Sequence, residues 1–365
     1  MFKMMVEIPG YSYPIIFERG LGSRLGNEIK KLFSGKNIAL VTDENVARIY
    51  GREIRESLEG QGFTVNIIAV PPGEKSKSLS VLEYLYNSLL DAGIRRDSLI
   101  IAFGGGVVGD LGGFAAATLM RGIPLVQVPT TLLAQIDSSI GGKVAVDLPR
   151  GKNLVGAFYQ PKAVYIDFNF LNTLEKRFLR DGMGEVVKYA AIRDPNLFKY
   201  LLDCSGEEYV VFEKVIPACC FIKKEIVIKD EKEQGERMLL NFGHTLGHAL
   251  EKYFNYENFT HGEAVAVGMQ IFTENSESMG WTKKGTAALI KRLLDKFSLP
   301  NRLPPVEIDR IVELIKGDKK NFDTGINVVL LKEPGKAYIK NISFQNFDLV
   351  YSLLHRRFVE GKGSN

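Results

Sequence analysis

Three of the four histidines in this 365-residue chain lie close together, between positions 244 and 261. His244 and His248 are four residues apart, which places them on one face of a predicted helix, and His261 begins the next predicted helix. Imidazoles that converge with a carboxylate form a typical site for zinc or a similar divalent ion. The spacing therefore predicts a metal site, although it does not choose the carboxylate. The candidates are three glutamates: Glu185, Glu251 and Glu263.

A glycine-rich segment, GGGVVGD at positions 104–110, follows a short apolar run and fits the pattern G-x-G-x-x-G. In such a turn, backbone N–H groups can approach a pyrophosphate at the positive end of a helix dipole. The acidic residue usually found about 20 residues later is absent, because Pro129-Thr130-Thr131 occupies that position. The turn favours a dinucleotide outside a standard Rossmann domain, although a tightly packed strand–helix turn would use the same glycines. Asp43 and Glu74 follow predicted strands and could bind ribose hydroxyls, or be solvated loop carboxylates.

Basic and amide side chains cluster beside glycines in predicted loops: Arg121, Lys143, Lys152 and Asn153. Lysine and arginine on such loops suit phosphate or carboxylate recognition, although any one of them alone could be a solvated surface charge. Further basic residues follow in the second half of the chain: Lys188, Lys223, Arg237, Lys319 and Lys320. Together they predict an anionic substrate bound between two domains.

The elements that must position these residues change in character along the chain. The first half alternates short apolar strands with helices, which indicates a parallel sheet covered by helices on both faces. Its predicted strands are Val6–Ile8 and Tyr13–Phe17, as an antiparallel pair, then Asn37–Thr42, Phe63–Val70, Ser98–Phe103, Leu125–Val128 and Ala163–Ile166. Helices are predicted from about Glu44 to Glu59, over Ser78–Asp91 and over Leu111–Met120.

The second half has mainly helical periodicity. Its predicted helices are Arg180–Arg193, Glu208–Lys229, Asn241–Phe254, Gly262–Met279, Lys283–Phe297 and Ile308–Ile315. A strand pair, Asn327–Leu331 and Ala337–Ile339, interrupts this pattern near the end. We place the domain boundary near residue 168, which predicts an α/β nucleotide-binding domain over 1–168 and a mostly α-helical, metal- and substrate-binding domain over 169–365.

Composition narrows the class of protein. The net charge of +4 suits a small anionic ligand, but it is too small and too dispersed for nucleic acid. Three cysteines without C-x-x-C spacing do not predict disulfides or a structural zinc site. The most apolar long stretch, Leu99 to Met120, is interrupted by glycines and Asp110, which argues against a membrane span. The N-terminus lacks the apolar core of a signal peptide, so a cytoplasmic protein is expected.

Six motifs, in order, resemble those of the 3-dehydroquinate synthase family. They are GGGVVGDLGG at 104–113, PTTLLAQIDSSIGGK at 129–143, GKNLVGAFYQP at 151–161, GEVVKY at 184–189, NFGHTLGH at 241–248 and HGE at 261–263. The resemblance covers essentially the whole chain, and several long motifs in register are more specific than one glycine turn. It implies a homodimeric enzyme with an α/β nucleotide-binding domain, a helical metal-binding domain, NAD+ and a divalent metal, zinc or cobalt.

The resemblance also implies roles for individual residues. The metal ligands would be Glu185, His244 and His261, so that His248 would face the substrate instead. The nucleotide contacts would be Asp43, Glu74, Lys77, Gly105, Gly106, Val107, Asp110, Thr130, Thr131, Asp137 and Lys152. The substrate contacts would be Lys143, Asn153, Lys188, Lys223, Arg237, Asn241, His248, one of Lys319 or Lys320, and Arg121 of the partner subunit. The chain departs from the usual family pattern at Val144, Asp147 and Gly184, where threonine, asparagine and alanine are commoner.

The implied reaction converts 3-deoxy-D-arabino-heptulosonate 7-phosphate into 3-dehydroquinate and phosphate in the shikimate pathway. It combines transient oxidation by NAD+, β-elimination of phosphate, reduction, ring opening and intramolecular aldol closure, so the net reaction is that of a lyase. One alternative is another sugar phosphate cyclase, whose substrate lacks a carboxylate. Another is a metal-dependent polyol or glycerol-phosphate dehydrogenase, which would accumulate NADH, and a third is a non-catalytic nucleotide-binding protein. The joint presence of Lys223, Arg237, Asn241 and His248 favours the carboxylate-bearing substrate.

Overall fold

The computed structural model describes residues 1–205, 210–317, 325–343, 351 and 354. The chain divides into two compact units. The first comprises Met1–Glu175 with Lys223–Glu231, and the second comprises Lys176–Ile222 with Lys232–Asn365. These units are defined by packing, and they group Lys223–Glu231 with the first half of the chain. The domain division at residue 168 stays a prediction.

The first unit contains nine strands, seven of which form one sheet. The strands are β1 (Phe2–Ile8), β2 (Tyr11–Phe17), β3 (Asn37–Asp43), β4 (Thr64–Val70), β5 (Leu99–Gly104), β6 (Leu125–Pro129), β7 (Lys143–Leu148), β8 (Gly151–Phe158) and β9 (Ala163–Ile166). The sheet order is β1-β2-β9-β6-β5-β3-β4, with β7 and β8 forming a separate pair. Only β1 and β2 pair antiparallel within the large sheet. The predicted parallel sheet with one antiparallel pair is confirmed.

Helices cover both faces of this sheet, as the continuous apolar strands predict. They are α1 (Leu25–Leu32), α2 (Glu44–Glu59), α3 (Leu79–Asp91) and α4 (Gly106–Thr118). Alternate residues of β3 enter two different hydrophobic clusters. Ala39 and Val41 pack with apolar residues of α3 and α4, whereas Ile38 and Leu40 pack with those of α1 and α2. The strand alternation therefore places one pair of helices on each face.

The segment from Lys143 to Phe158 differs from its predicted structure. We predicted loops around Lys143, Lys152 and Asn153, but β7 and β8 form an antiparallel hairpin that contains all three residues. Packing on α4 stabilises it, since a Cβ at Gly113 would lie only 2.4 Å from Cγ1 of Val144. The flanking glycines suggested loops, because this tertiary contact is invisible in the local sequence.

The second unit is mostly helical, as predicted. Its elements are α5 (Lys176–Arg193), α6 (Pro195–Asp203), α7 (Phe212–Lys229), α8 (His244–Tyr253), α9 (His261–Ser278), α10 (Thr286–Lys296), α11 (Ile308–Lys316), β10 (Gly325–Glu333) and β11 (Lys336–Ser343). The residues of α7 from Lys223 onwards pack in the first unit. The β10–β11 pair is antiparallel and confirms the predicted late strand pair. Among the described residues, no helix is both long and apolar enough to cross a membrane.

Helix α6 was not predicted, although the chain carries a start signal for it. The carboxylate of Asp194 accepts hydrogen bonds from the backbone N–H groups of Asn196 and Leu197, and Pro195 occupies the first turn. An aspartate cap followed by proline is a common helix start. The helix is short, at nine residues, and only that cap could have separated it from α5.

Glycines allow three helices of the second unit to approach closely. A Cβ at Gly184 of α5 would lie 2.6 Å from the carbonyl oxygen of Gly262 in α9, and a Cβ at Gly262 would lie 1.9 Å from that of Asp181. A Cβ at Gly268 would lie 2.0 Å from the carbonyl oxygen of Gly243, which precedes α8. Real Cβ atoms do not fit at these distances, so backbone contact between α5, α8 and α9 depends on glycine.

Candidate active site

Three potential ligands converge where these helices meet. Glu185 lies on α5, and His244 and His261 are the first residues of α8 and α9. The Nε2 atom of each histidine lies 3.6 Å from Oε1 of Glu185, and the two ring centroids are 5.0 Å apart. The candidate ligand atoms all lie within 4.8 Å of one another. Two imidazoles and one carboxylate are a donor set that suits zinc or cobalt, so these residues fit a divalent ion.

The charges around Glu185 are buried. Glu185 is fully buried, and the Lys188 ammonium group, one helical turn later and 1% exposed, contacts its Oε2. Burial lowers the pKa of His261, but hydrogen bonds and charges from Glu185 and Glu251 outweigh this and raise the pKa to about 10. A buried carboxylate needs compensating positive charge. Lys188 and His261 supply it here, and a bound cation would displace the proton on His261.

His248 lies next to the candidate ligands but outside their group. Its ring centroid is 5.3 Å from that of His244 and 6.2 Å from that of His261. It forms a second possible metal group with Glu251 and His261. Glu263, which spacing left open as a ligand, lies outside both groups. Its carboxylate pairs with Arg177 at 3.0 Å and accepts a hydrogen bond from the Thr260 N–H at 2.8 Å, which caps α9.

The glycine turn lies at the start of α4 in the first unit. Gly105 is the N-cap residue, and Gly106 and Val107 begin the helix, whose first N–H groups favour an anion. The threonines predicted to help here lie beside the turn. The Thr130 N–H donates to the Gly104 carbonyl at 2.9 Å, and a Cβ at Gly105 would lie 3.1 Å from Cγ2 of Thr131. The structure thus brings these predicted nucleotide contacts together.

A cluster of charged and amide residues lies near the same helix. The Lys77 ammonium group is 2.5 Å from Oδ2 of Asp110 on α4, and it also donates to the side-chain oxygen of Asn153 on β8. Burial raises the pKa of Asp110, and the neighbouring charge of Lys77 opposes that rise. Glu74 and Lys152 belong to the same cluster. The Lys152 ammonium group lies 3.6 Å from Oε1 of Glu74, and the charge of Glu74 also acts on Lys77. These five residues come from three separate segments of the chain, at 74–77, at 110 and at 152–153, and the β7–β8 hairpin contributes the last two.

Lys223 belongs to the first unit rather than to the helical half where we predicted it. Its ammonium group lies 2.8 Å from Oδ1 of Asp137 and 2.5 Å from the Asp137 carbonyl oxygen. Asp137 follows the two threonines in sequence and was predicted to contact the nucleotide. Lys223, which was predicted to contact the substrate, therefore forms an ion pair with Asp137, which was predicted to contact the nucleotide.

The remaining predicted residues occupy varied positions. One oxygen of Asp43 accepts hydrogen bonds from Asn45 and Val46, so it caps α2 as well as ending β3. Lys143 is exposed at the start of β7. Arg121 is exposed and has a positive φ of 67°, which non-glycine residues rarely adopt.

Two more predicted substrate contacts lie in the turn before α8. Arg237 is 2% exposed, and the Asn241 amide donates to Oε1 of Glu233 at 2.7 Å. A buried guanidinium group needs anionic or hydrogen-bonding surroundings. Lys319 and Lys320 lie outside the described residues.

The fold matches that of solved sugar phosphate cyclases. A structure of 2-deoxy-scyllo-inosose synthase, complexed with carbaglucose-6-phosphate, NAD+ and Co2+, superposes with a TM-score of 0.85 at 27% sequence identity. The match covers 96% of this chain and 99% of that one.

Sequence comparisons are more specific. The family descriptions "3-dehydroquinate synthase N-terminal" and "3-dehydroquinate synthase C-terminal" match residues 67–181 and 182–321. The chain is 52% identical to the 3-dehydroquinate synthase of Clostridium acetobutylicum, over 94% of this chain and 97% of that protein. It is 50% identical to that of Clostridium beijerinckii, over 95% of this chain and all of the other. The chain belongs to the 3-dehydroquinate synthase family, which confirms the resemblance.

Proposed function

We propose that this protein is a 3-dehydroquinate synthase, which converts 3-deoxy-D-arabino-heptulosonate 7-phosphate into 3-dehydroquinate and phosphate. The observation that carries the proposal is the convergence of Glu185, His244 and His261 in a chain that belongs to this family. The 27% identity to 2-deoxy-scyllo-inosose synthase is much lower than the 52% identity to a 3-dehydroquinate synthase. The identities therefore support 3-deoxy-D-arabino-heptulosonate 7-phosphate as the substrate better than they support the substrate of 2-deoxy-scyllo-inosose synthase.

Glu185, His244 and His261 would hold the metal, and the turn at Gly105, Gly106 and Val107 would hold the pyrophosphate of NAD+. When bound, the ion lowers the cost of removing a proton from the substrate hydroxyl that NAD+ oxidises. Support comes from the structurally similar 2-deoxy-scyllo-inosose synthase, which was solved with NAD+ and Co2+. The other proposed nucleotide contacts are Asp43, Glu74, Lys77, Asp110, Thr130, Thr131, Asp137 and Lys152.

The basic residues would bind the two anionic ends of the substrate. In the second unit, Lys188 and Arg237 are 1% and 2% exposed, and such buried cations bind an incoming carboxylate or phosphate strongly. His248 and Asn241 would add hydrogen bonds beside them. In the first unit, Lys143, Asn153 and Lys223 would act similarly, and Lys320 is proposed on sequence alone. Because the leaving phosphate can itself take the proton, the main task of these residues is to hold it in one orientation.

The phosphate assay tests the proposed reaction directly. Purified protein would be given 3-deoxy-D-arabino-heptulosonate 7-phosphate, NAD+ and Zn2+, while released phosphate and NADH absorbance are followed together. We expect phosphate release without net NADH, abolished by a chelator and restored by metal. Well-folded, metal-loaded protein that releases no phosphate would contradict the proposal. Steady NADH accumulation with a polyol would instead support the dehydrogenase alternative.

We further propose a homodimer in which Arg121 acts in the site of the partner subunit. The exposed side chain and positive φ of Arg121 support a residue held outward for a role beyond its own subunit. Mixing inactive Arg121→Ala and His261→Ala proteins should restore about one quarter of wild-type activity, because half of randomly mixed dimers are heterodimers with one intact site. No recovery after verified subunit exchange would place Arg121 in its own subunit's site, or outside the sites altogether.

A cytoplasmic location is also proposed. The cysteines support it, because Cys204, Cys219 and Cys220 form no disulfide and the last two are buried. Cysteines that stay out of disulfides are typical of proteins in a reducing compartment. Fractionation of the native cells, followed by immunoblotting, would check this placement.

A further inference from the structure

Both candidate ligand histidines have a protein oxygen beside the ring nitrogen that faces away from Glu185. Nδ1 of His244 lies 3.1 Å from the carbonyl oxygen of Phe242, and Nδ1 of His261 lies 3.4 Å from Oε2 of Glu251. A neutral imidazole carries one N–H, so donation from Nδ1 leaves the Nε2 lone pair available for a metal. On both rings, Nε2 is the atom that lies 3.6 Å from Glu185.

We propose that Glu251 is a positioning residue, which fixes His261 in the tautomer and orientation that direct Nε2 to the metal, and is not itself a ligand. This inference rests on the proposed metal site. At His244 the carbonyl oxygen of Phe242 has the same role, and a side-chain substitution cannot remove that oxygen. Glu251 is therefore the one of these two supports that mutation can test.

The alternative is that Glu251 binds the ion directly, within the group formed with His248 and His261. His261 would then use Nδ1, since that atom faces Glu251. This arrangement would leave out Glu185, a fully buried carboxylate toward which both Nε2 atoms point. The Glu185 group uses the two histidines in the same way, with each Nδ1 against an acceptor. It therefore accounts for more of the observed contacts.

A second carboxylate fixes the backbone at His261. Oδ1 of Asp181 accepts a hydrogen bond from the Gly262 N–H at 2.5 Å, at the start of α9. Asp181 is 8% exposed and precedes Glu185 by four residues, so both project from one face of α5. The same helix thus offers one carboxylate to the metal and another to the backbone that carries its ligand. Glu251, 3% exposed on α8, then sets the orientation of the ring.

The test compares metal affinity and ligand set in Glu251→Ala and Glu251→Gln. Affinity for Zn2+ and Co2+ would be measured by competition with a chelator. Loss of an outer support typically costs 10–100-fold in metal affinity, so we expect Glu251→Ala to lose about that much. The glutamine amide oxygen can still accept the Nδ1–H bond, so Glu251→Gln should stay within about threefold of wild type. The visible spectrum of bound Co2+ should keep its band positions in both variants, because the ligands are unchanged.

A matched control is Glu313→Gln, because Glu313 lies in the same unit with its side chain 66% exposed. It should bind metal as the wild type does. Glu251→Ala protein that binds metal as tightly as wild type would overturn the inference. So would a Glu251→Gln protein that loses as much affinity as Glu251→Ala, or one that shifts the Co2+ bands, because either result would show that the site needs the Glu251 carboxylate itself and not merely an acceptor for the Nδ1–H group.

Two further measurements, both on wild-type protein, test the inference independently of the variants. If Glu251→Ala does not fold, nitrogen NMR of metal-loaded wild-type protein should still show a proton on Nδ1 of His261, and a proton on Nε2 would contradict the inference. If wild-type protein binds neither Zn2+ nor Co2+, the proposed metal site itself fails. That outcome is distinct from a normal wild type whose affinity does not depend on Glu251.

Discussion

The helical unit forms its candidate metal site from side chains, whereas the α/β unit forms its candidate pyrophosphate site from backbone. Glu185, His244 and His261 place their ligand atoms within 4.8 Å of one another. At the glycine turn, the important feature is the lack of side chains, since a Cβ at Gly106 would lie 3.2 Å from Oγ of Ser138. The two sites should therefore be disrupted in opposite ways: the metal site by removing side-chain atoms, and the pyrophosphate site by adding them.

The largest expected effect is on the side-chain site. Replacing His261 with alanine removes one of three donors, and we expect metal loss together with a drop in turnover of about a thousandfold or more, since a bound ion contributes several kcal/mol. Metal content by elemental analysis and the phosphate assay would measure both. NAD+ affinity should change little. His248→Ala is the matched control, because it should lose turnover yet keep its metal. A metal-free His261→Ala protein with full activity would refute the assignment.

Adding atoms at the glycine turn should weaken NAD+ binding and leave metal binding unchanged. In Gly106→Val, the branched side chain meets Ser138, and we expect NAD+ affinity to fall by about tenfold or more, which corresponds to 1.4 kcal/mol or more. Calorimetric titration with NAD+ would measure it, and Zn2+ affinity should be unchanged. Gly106→Ala should have a smaller effect of the same sign. Wild-type NAD+ binding by Gly106→Val would show that the backbone of this turn does not approach the nucleotide.

The smallest effects concern the packing that supports the metal site. A methyl group added at Gly184 would lie 2.6 Å from the Gly262 carbonyl oxygen, so Gly184→Ala should destabilise the protein by about 1–3 kcal/mol, as overpacking does. Glycine at position 184, where alanine is commoner in the family, would then be an adaptation to the close contact between α5 and α9. Urea unfolding monitored by circular dichroism would measure the change.

Gly51 in α2 offers a matched control for that substitution. Its nearest neighbour would lie 3.6 Å from an added Cβ, and glycine inside a helix is unfavourable relative to alanine. Gly51→Ala should therefore stabilise the protein by about 0.5–1 kcal/mol. If both substitutions had the same sign, the close approach of α5 and α9 would not be the cause.

Local sequence patterns predicted most helices and strands and most of the residues proposed for the two sites. Apolar strands in the first half, helical periodicity in the second, the glycine turn and the clustered histidines are all local patterns, because backbone periodicity and turn chemistry act over a few residues. The motifs also sufficed to recognise the family. They did not reveal the β7–β8 hairpin, whose glycines suggested loops, or α6, which has nine residues and is separated from α5 only by its aspartate cap.

Contacts between residues far apart in sequence depend on the tertiary packing. Spacing could not choose among Glu185, Glu251 and Glu263, but glycine contacts between α5 and α9 bring Glu185 to both histidines. Likewise, the Lys223 ammonium group pairs with Asp137, from which it is separated by 86 positions. Such contacts depend on how closely two backbones approach. That distance is set by side chains, or by their absence, on elements far apart in sequence.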